Sequence, residues 1–445
     1  MFNPSRQRRY QFIRARHLRD LDDVLLPLAR LVDRLTPCSV SEFNEKFDKE
    51  CRKLLPEAKA EKTRDNFRTE IVRSLFGLVI FDAEIVKPSD RLGRLLESSD
   101  QTAFFREIAW KFQFPFGASS PRKWKENQDL SLRPGPFLIQ LLDLADRRSL
   151  PISQDEIFFY VLNSEDVQKG RVSPIDVLKC LIANRLKERL PKGFPVPRNS
   201  THQQHLREFL RIMELGSLIA VEDGRVNLRK ISPSAKNLFL GVNSRNIEFK
   251  QKEFVDDKDR RNEWDLYYTR LDKSTAKKLA VSAAPTSRGG KITATELGKL
   301  GEQIAFDYEI DRLSEVKRGL EHRVENRSKE KEIGFDIQSV RGDLTARGRS
   351  ERSPIYIEVK TTKRATKVKL YNFPDGFDMQ RSQWDKAKTS RTDFFIYRVF
   401  ITDEGNQIVR ICDPYGKAMA SDAVSVIPKS YEVDILLPDH ELFDA

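Results

Sequence analysis

Two carboxylates and one ammonium group stand at spacings that would suit metal-assisted hydrolysis. Apolar and polar residues alternate along Ile355–Lys360, so a strand would place Glu358 and Lys360 side by side on the face opposite its apolar residues. Asp336 lies about a hairpin's length upstream. Carboxylate oxygens are the ligands that Mg²⁺ prefers, and the ion keeps several waters that a neighbouring lysine can orient or deprotonate. These three residues therefore predict a hydrolytic metal site.

The segment Gly334–Ile337 is the predicted strand that would carry Asp336. Its alternation predicts that Phe335 and Ile337 face the core, while Asp336 faces the opposite way. The Glu-x-Lys tripeptide also occurs, without these flanks, at residues 57–59, 248–250 and 315–317. For the tripeptide by itself, the solvated face of an edge strand is the alternative interpretation.

The same region contains further predicted elements. Thr293 or Thr295 is predicted to begin a helix. Its predicted buried stripe consists of Leu297, Leu300, Ile304 and Tyr308. Residues 394–401 and 407–412 are predicted to form a hairpin that completes the sheet.

This combination resembles the PD-(D/E)XK nuclease superfamily, although Phe rather than Pro precedes the first carboxylate. The resemblance implies a C-terminal α/β restriction-endonuclease-like domain in which Asp336 and Glu358 hold Mg²⁺ and Lys360 orients the attacking water. It also implies that Glu302, on the first helix, and Gln383, on a later helix, lie near the site. A solvated helix carboxylate is the alternative for Glu302.

Basic residues flank these motifs and would neutralise DNA phosphates at a nuclease cleft. They occupy the segment 341–352 and, after the motif strand, Lys363, Arg364, Lys367 and Lys369. Each one taken singly is also consistent with ordinary surface solvation.

The composition favours an intracellular nucleic-acid-binding protein. The 445 residues are 39% hydrophobic, carry a net charge of +12 and have a pI near 9.4, a balance that suits a partner with repeated negative charge, most commonly nucleic acid. Together with the winged helices predicted below, it leads us to expect double-stranded DNA as the partner. The four cysteines are far apart, which predicts a reducing compartment, and no signal peptide or membrane-spanning run is evident, so we expect a cytoplasmic protein without a membrane partner. The chain lacks a GxxxxGK[ST] loop, which argues against an ATP-driven function.

The first half of the chain is mainly α-helical by pattern and twice shows helices followed by a short apolar hairpin, the order of a winged helix. We predict an arginine-rich arm over 1–19, a winged helix over about 20–98, a helical connection over about 99–192 and a second winged helix over about 193–245. Residues 246–292 are predicted to be a linker, partly helical around Trp264–Tyr268, ahead of a nuclease domain over 293–445.

Recognition helices of winged-helix proteins contact base edges with their N-terminal residues. Thr63 is the predicted N-cap of the first such helix, and its neighbours are expected to be exposed. The candidate DNA-binding residues are Arg14 and Arg16 in the arm, Arg64, Asn66, Arg68 and Thr69 on the first helix, and His202, Gln203, Gln204 and Arg207 on the second. Scaffold helices whose polar residues meet only water are the alternative.

Three motifs resemble the recognition domain of the BpuJI family of type II restriction endonucleases. They lie at residues 62–70, 100–115 and 160–164, and the resemblance covers about the first 240 residues. It implies two winged-helix subdomains that read a short asymmetric DNA site, and a C-terminal nuclease domain that dimerises and needs Mg²⁺.

The expected function is a site-specific endonuclease of a restriction-modification system, with a cognate DNA methyltransferase acting on the same site. A modification-dependent or repair nuclease remains an alternative, as does a DNA-binding protein whose nuclease fold is inactive.

Overall fold

The computed structural model describes residues 2–13, 21–55, 60–116, 126–186, 191–195, 201–245, 257–280, 293–330, 333–342, 351–368, 375–420 and 426. The fold divides into two compact units. The first unit comprises Met1–Gly301, Thr361–Phe377 and Val399–Ile408, and the second comprises Glu302–Lys360, Asp378–Arg398 and Val409–Ala445.

The first part of the first unit has the helix-and-hairpin order that the sequence predicts. Its elements are α1 (Leu21–Leu35), β1 (Cys38–Ser39), α2 (Val40–Leu54), α3 (Glu61–Asn66), a π-helical turn (Phe67–Leu75), β2 (Val79–Asp82), β3 (Ile85–Pro88), α4 (Asp90–Ser98) and α5 (Gln101–Lys111). The strands form an antiparallel sheet in the order β1-β3-β2. Gly77, at φ +61°, follows the π-helical turn and adopts the left-handed conformation that ends helices.

The second part of the first unit repeats this order around another small antiparallel sheet, β4-β6-β5. Its elements are α6 (Pro134–Asp146), β4 (Ile152–Ser153), α7 (Gln154–Glu156), a π-helical turn (Ile157–Leu162), α8 (Glu165–Gln168), α9 (Pro174–Leu186), α10 (Thr201–Leu215), β5 (Ile219–Glu222), β6 (Arg225–Leu228) and α11 (Pro233–Gly241). The predicted hairpin at Asp223-Gly224 is present, and both residues adopt positive φ as its tight turn requires.

The N-terminal segment is packed into the protein over its described residues, rather than extending as an arm. Tyr10 and Phe12 are buried in the hydrophobic core of the first unit. The Tyr10 amide donates to Asn163 Oδ1 over 3.1 Å, and His205 Nδ1 lies 2.7 Å from the Phe12 carbonyl oxygen. The arm prediction is therefore wrong up to residue 13, because aromatic residues between the arginines enter the core.

The predicted linker contains two helices that belong to the first unit. Helices α12 (Asp257–Thr269) and α13 (Lys273–Leu279) contribute Trp264, Tyr268 and Leu279 to its core. Arg73 Nε pairs with the buried Asp265 carboxylate over 2.6 Å, which joins α12 to the π-helical turn after α3. Residues 257–279 are thus part of the folded unit, because the apolar face of α12 is buried there instead of facing water.

The remaining elements build the C-terminal α/β region. They are α14 (Ala294–Val316), a 3₁₀ turn (Glu321–Arg323), β7 (Glu325–Asn326), β8 (Ile337–Val340), β9 (Pro354–Lys363), α15 (Arg381–Ser390), a 3₁₀ turn (Arg391–Asp393), β10 (Phe394–Ile401), β11 (Gln407–Cys412) and α16 (Pro414–Ala420). The strands form one five-stranded sheet in the order β11-β10-β9-β8-β7, and β8 pairs antiparallel with β9.

The buried face of α14 differs from the predicted stripe. Leu300 and Tyr308 are 38% and 36% exposed, whereas Ala305, Glu309 and Leu313 are fully buried. Glu309 accepts hydrogen bonds from Ser339 of β8 over 2.6 Å, from Arg312 over 2.8 Å and from Tyr397 of β10. A carboxylate therefore occupies the centre of this face, because three donors compensate for its burial.

Within the part of the chain that the structure describes, no helix is both long and apolar enough to cross a lipid bilayer.

Candidate active site

Asp336 is held against strand β9 by its own backbone and side chain. Its amide donates to the Ile357 carbonyl over 2.9 Å, and its Oδ2 accepts the Val359 amide over 2.7 Å. Gly334, two residues earlier, has φ +77°, and a Cβ at this position would lie 2.5 Å from the Ser382 carbonyl oxygen of α15. The glycine therefore lets α15 pack closely beside the Asp336 segment.

Glu358, Lys360 and Gln383 form a closed hydrogen-bonded group. Lys360 Nζ lies 2.8 Å from Glu358 Oε1 and 3.0 Å from Gln383 Oε1, and Gln383 Nε2 donates to Glu358 Oε1 over 2.6 Å. The alternation of β9 brings the first two side chains to one face, as the sequence predicts. The third residue comes from the first turn of α15, 23 residues further along the chain.

Gln383 is positioned by a capping box at the start of α15. The Gln380 amide donates to Gln383 Oε1 over 2.8 Å, while the Gln380 side chain accepts the backbone N–H of Gln383. The Gln383 side chain thus caps the N-terminus of α15 and also bonds both the Glu358 carboxylate and the Lys360 ammonium group. The resemblance to the nuclease superfamily implied that Gln383 would lie near the site, but it did not indicate which groups its amide would bond.

Burial controls the electrostatics of the two carboxylates. Burial raises the pKa of Glu358 to about 8, with a smaller increase from Asp336, although Lys360 acts in the opposite direction. Burial also raises the pKa of Asp336 to about 6, and the negative charge of Glu302 adds to this effect while the Val359 amide opposes it. When both are ionised, the buried Glu358 and the half-buried Asp336 leave a local deficit of positive charge beside the single Lys360 ammonium group.

The residues present fit a divalent cation. Glu358 Oε2 is buried and has no hydrogen-bond partner among the described residues, and Glu358 as a whole is only 2% exposed. Such an orphaned carboxylate oxygen is stabilised by a hard cation. The described residues contain no group of three or more His, Cys, Asp or Glu placed to hold a metal ion, and the carboxylates available at this position are Asp336 and Glu358. Mg²⁺ commonly binds through one or two carboxylates and keeps water at its other positions.

Glu302 lies on α14 and is half-buried, and its charge reaches Asp336, whose pKa it raises. The structure therefore places it in the electrostatic environment of the site. Asp336, Glu358, Lys360 and Gln383 are the predicted residues that the structure brings together directly.

Phe335 lies outside the core in which the strand pattern placed it. Its ring packs against Tyr356 with the ring centroids 4.8 Å apart, whereas Ile337 is fully buried. The reason is that β8 begins only at Ile337, so strand alternation does not extend back through the left-handed Gly334. The sequence gives no local signal for this ending apart from the glycine itself.

The candidate DNA-binding residues on the first helix are mostly occupied within the protein. Arg64 is only 3% exposed and lies 4.0 Å from Asp48, and Arg68 pairs with Asp48 and Asp65 over 3.0 and 2.6 Å. Thr69 Oγ1 donates to the Asp65 carbonyl over 2.8 Å, Thr69 is exposed, and Asn66 is half-buried. The expected exposure of Arg64 is wrong, because α3 begins at Glu61 with Ala60 as N-cap and Thr63 lies inside the helix.

The candidates around α10 differ in their accessibility. Gln203 is 2% exposed and its Oε1 accepts a hydrogen bond from Arg207 over 2.9 Å, while Arg207 is exposed and Gln204 half-buried. Arg14, Arg16 and the side chain of His202 lie outside the described residues.

Two of the basic residues after the motif strand do not face a cleft. Arg364 is 1% exposed and pairs with Asp22 over 3.0 Å and with Asp23, both at the start of α1, and Lys363 is also buried. Lys367 is exposed, and Lys369 lies outside the described residues. Sequence spacing carried no signal for this ion pair, because its partners are more than 340 residues apart.

Comparison with known proteins found family matches in the N-terminal and C-terminal parts of the chain. The family described as "Restriction endonuclease BpuJI - N terminal" matches residues 3–266, and "Protein NO VEIN, C-terminal" matches residues 301–411. A solved structure titled "Crystal structure of pyrene- and phenanthrene-modified DNA in complex with the BpuJ1 endonuclease binding domain" is 33% identical. The match covers 61% of this chain and 100% of that one, with a TM-score of 0.57. No curated protein matches the chain.

The first match spans more than half of the chain and extends past residue 245 into α12, whose Trp264 is buried in the core of the first unit. The chain therefore belongs to the family of the N-terminal domain of the restriction endonuclease BpuJI.

Proposed function

We propose that the protein is a type II site-specific deoxyribonuclease that binds double-stranded DNA through its first unit and hydrolyses phosphodiester bonds with Asp336, Glu358, Lys360 and Gln383. The observation that carries this proposal is the group formed by the buried Glu358 and the half-buried Asp336, Lys360 and Gln383 in a member of the BpuJI N-terminal family. The related solved structure is a binding domain in complex with modified DNA, which supports DNA as the ligand of residues 3–266.

Each residue of the site has a proposed role that follows from its chemistry. Asp336 and Glu358 would hold Mg²⁺, which when bound polarises the scissile phosphate and lowers the pKa of an attacking water. Lys360, whose side chain remains 18% exposed, can donate to that water or to the negative charge that develops on the phosphate. Gln383 keeps the Lys360 ammonium and the Glu358 carboxylate in their mutual orientation. Glu302 adds negative charge near the same carboxylates and thereby favours cation binding.

The direct test replaces the two residues with the clearest roles. Asp336→Ala and Lys360→Ala are expected to abolish plasmid cleavage in Mg²⁺ while target binding stays at the wild-type level, because neither side chain belongs to the first unit. Wild-type protein in EDTA should also be inactive. A variant that still cuts at the wild-type rate would refute the assignment of that residue.

The proposal extends to partners. A homodimer formed through the nuclease region would supply one hydrolytic site for each DNA strand, and a methyltransferase that modifies the same sequence would protect host DNA. Comparing cleavage of methylated and unmethylated plasmid distinguishes this function from a modification-dependent nuclease, which would require the methyl group. Analytical ultracentrifugation of the full chain, with and without DNA, tests the dimer.

A further inference from the structure

Lys386 is held over two aromatic rings beside the hydrolytic group. Its Nζ lies 3.6 Å from the ring centroid of Tyr356 and 5.3 Å from that of Phe335, and the two rings are 4.8 Å apart. The faces of aromatic rings attract cations and hold them in place. Lys386 follows Gln383 by three residues on α15, so both side chains project from the same face of that helix.

The position of Lys386 relative to the carboxylates follows from strand geometry. Tyr356 precedes Glu358 by two residues in β9, so the two side chains share a face and their Cα atoms are about 6.6 Å apart. Lys386 Nζ, which lies over the Tyr356 ring, is therefore placed above the position that precedes Glu358 on the same face of β9. The close approach of α15 to Gly334 fixes the helix, since a Cβ at Gly334 would also lie 3.0 Å from Lys386 Cβ.

The charge of Lys386 has no acidic partner within the described part of the chain. Among the ion pairs of the described residues, none involves Lys386, although neighbouring residues of α15 such as Arg381 do pair with an acid. Burial lowers the pKa of the Lys386 ammonium, which is the cost of keeping a cation partly desolvated. A phosphate group would offset this cost, because lysine binds phosphates as a compact point charge.

We propose that Lys386, oriented by Tyr356 and Phe335, binds the phosphate next to the scissile phosphate and so places the DNA strand over Glu358 and Lys360. This inference rests on the proposed nuclease function. Lys386 would bind the substrate and would take no part in the hydrolysis step.

The first test compares Lys386→Gln with Lys388→Gln in the full chain. Lys388 is exposed on the same helix and carries the same charge without an aromatic platform, so it is a matched control. Lys386→Gln is expected to lower kcat/KM for cleavage by about tenfold to a hundredfold, the effect of one charge-assisted hydrogen bond. It should also reduce the slope of log(kcat/KM) against log[salt] by about 0.9, as expected for one lost phosphate contact. Lys388→Gln should change neither quantity, and Lys386→Arg should retain most of the activity.

The second test neutralises the phosphate instead of the lysine, so its first measurement is made on the wild-type protein. Once the cut positions are mapped, duplexes are prepared with a neutral methylphosphonate on either side of the scissile phosphate. One of the two modified duplexes should be cleaved by the wild-type enzyme as slowly as the unmodified duplex is cleaved by Lys386→Gln. The Lys386→Gln variant should cleave this modified duplex no more slowly than it cleaves the unmodified one. Additive losses, or an unchanged salt slope in an active Lys386→Gln variant, would overturn this inference while leaving the nuclease assignment intact. Absence of any cleavage by wild-type protein in Mg²⁺ would overturn both.

Discussion

Replacing Gln383 with leucine tests whether this residue orients Glu358 and Lys360, because the substitution leaves both of those side chains in place. The substitution keeps the approximate volume of the side chain but removes the amide that bonds both Glu358 and Lys360. We expect Gln383→Leu to reduce the single-turnover cleavage rate at saturating Mg²⁺, because the carboxylate and the ammonium would lose their common anchor. Target binding should be unchanged.

The magnitude follows from the contacts that are lost. Gln383 takes part in a 2.6 Å bond to Glu358, a 3.0 Å bond from Lys360 and a 2.8 Å bond from the Gln380 amide. Loss of residues that orient metal ligands typically costs about 10- to 100-fold in activity or metal affinity. This corresponds to about 1.4–2.7 kcal/mol in the activation free energy. The midpoint of a Mg²⁺ titration should shift upward, since Glu358 would be held less firmly.

Gln380→Ala is the matched control for this substitution. The Gln380 side chain accepts the Gln383 backbone N–H but bonds neither Glu358 nor Lys360, so its loss removes only half of the capping box. Gln380→Ala should lower the free energy of unfolding by about 1 kcal/mol and leave the single-turnover cleavage rate unchanged. If Gln380→Ala slowed cleavage as much as Gln383→Leu, helix capping rather than orientation of the group would explain the effect, and our reasoning would be refuted.

Two further predictions concern buried ion pairs. Burial acts to raise the pKa of Glu309, but the hydrogen bonds from Arg312 and its other donors outweigh burial and hold this pKa below its ordinary value. The ionised carboxylate therefore stabilises the folded state above the unfolded pKa of about 4.3, and this stabilisation is lost as the pH falls. Glu309→Gln should therefore lower the free energy of unfolding by about 3–5 kcal/mol at pH 7. Denaturant titrations should show that this difference from the wild-type protein shrinks below about pH 4, and a difference independent of pH would contradict the explanation. Arg364→Ala removes the guanidinium that pairs with the buried Asp22 and Asp23 and should lower the free energy of unfolding by about 3–5 kcal/mol, whereas Lys367→Ala at the neighbouring exposed position should change thermal denaturation very little. Equal melting temperatures for these two variants would refute the role of the pair.

Local patterns in the sequence determined which side chains share a face and which segments pair. The alternation in Ile355–Lys360 places Glu358 beside Lys360, because successive side chains of a strand point to opposite faces. The hairpin at Asp223-Gly224 is similarly local, since its turn depends on residues that tolerate positive φ. These features needed no information from the rest of the chain. The motif resemblance added the expectation that Gln383 would lie near the carboxylates.

Only the tertiary structure decided which face of each element is covered and which charges are paired. Leu300 on α14 is exposed while Glu309 is buried, because donors from β8 and β10 meet the carboxylate there. The sequence predicted that Arg364 would be exposed, to water or to DNA phosphates, yet it is buried and pairs with Asp22, more than 340 residues away. A local pattern specifies a direction for each side chain, but its partner is brought to it by contacts between elements distant in sequence.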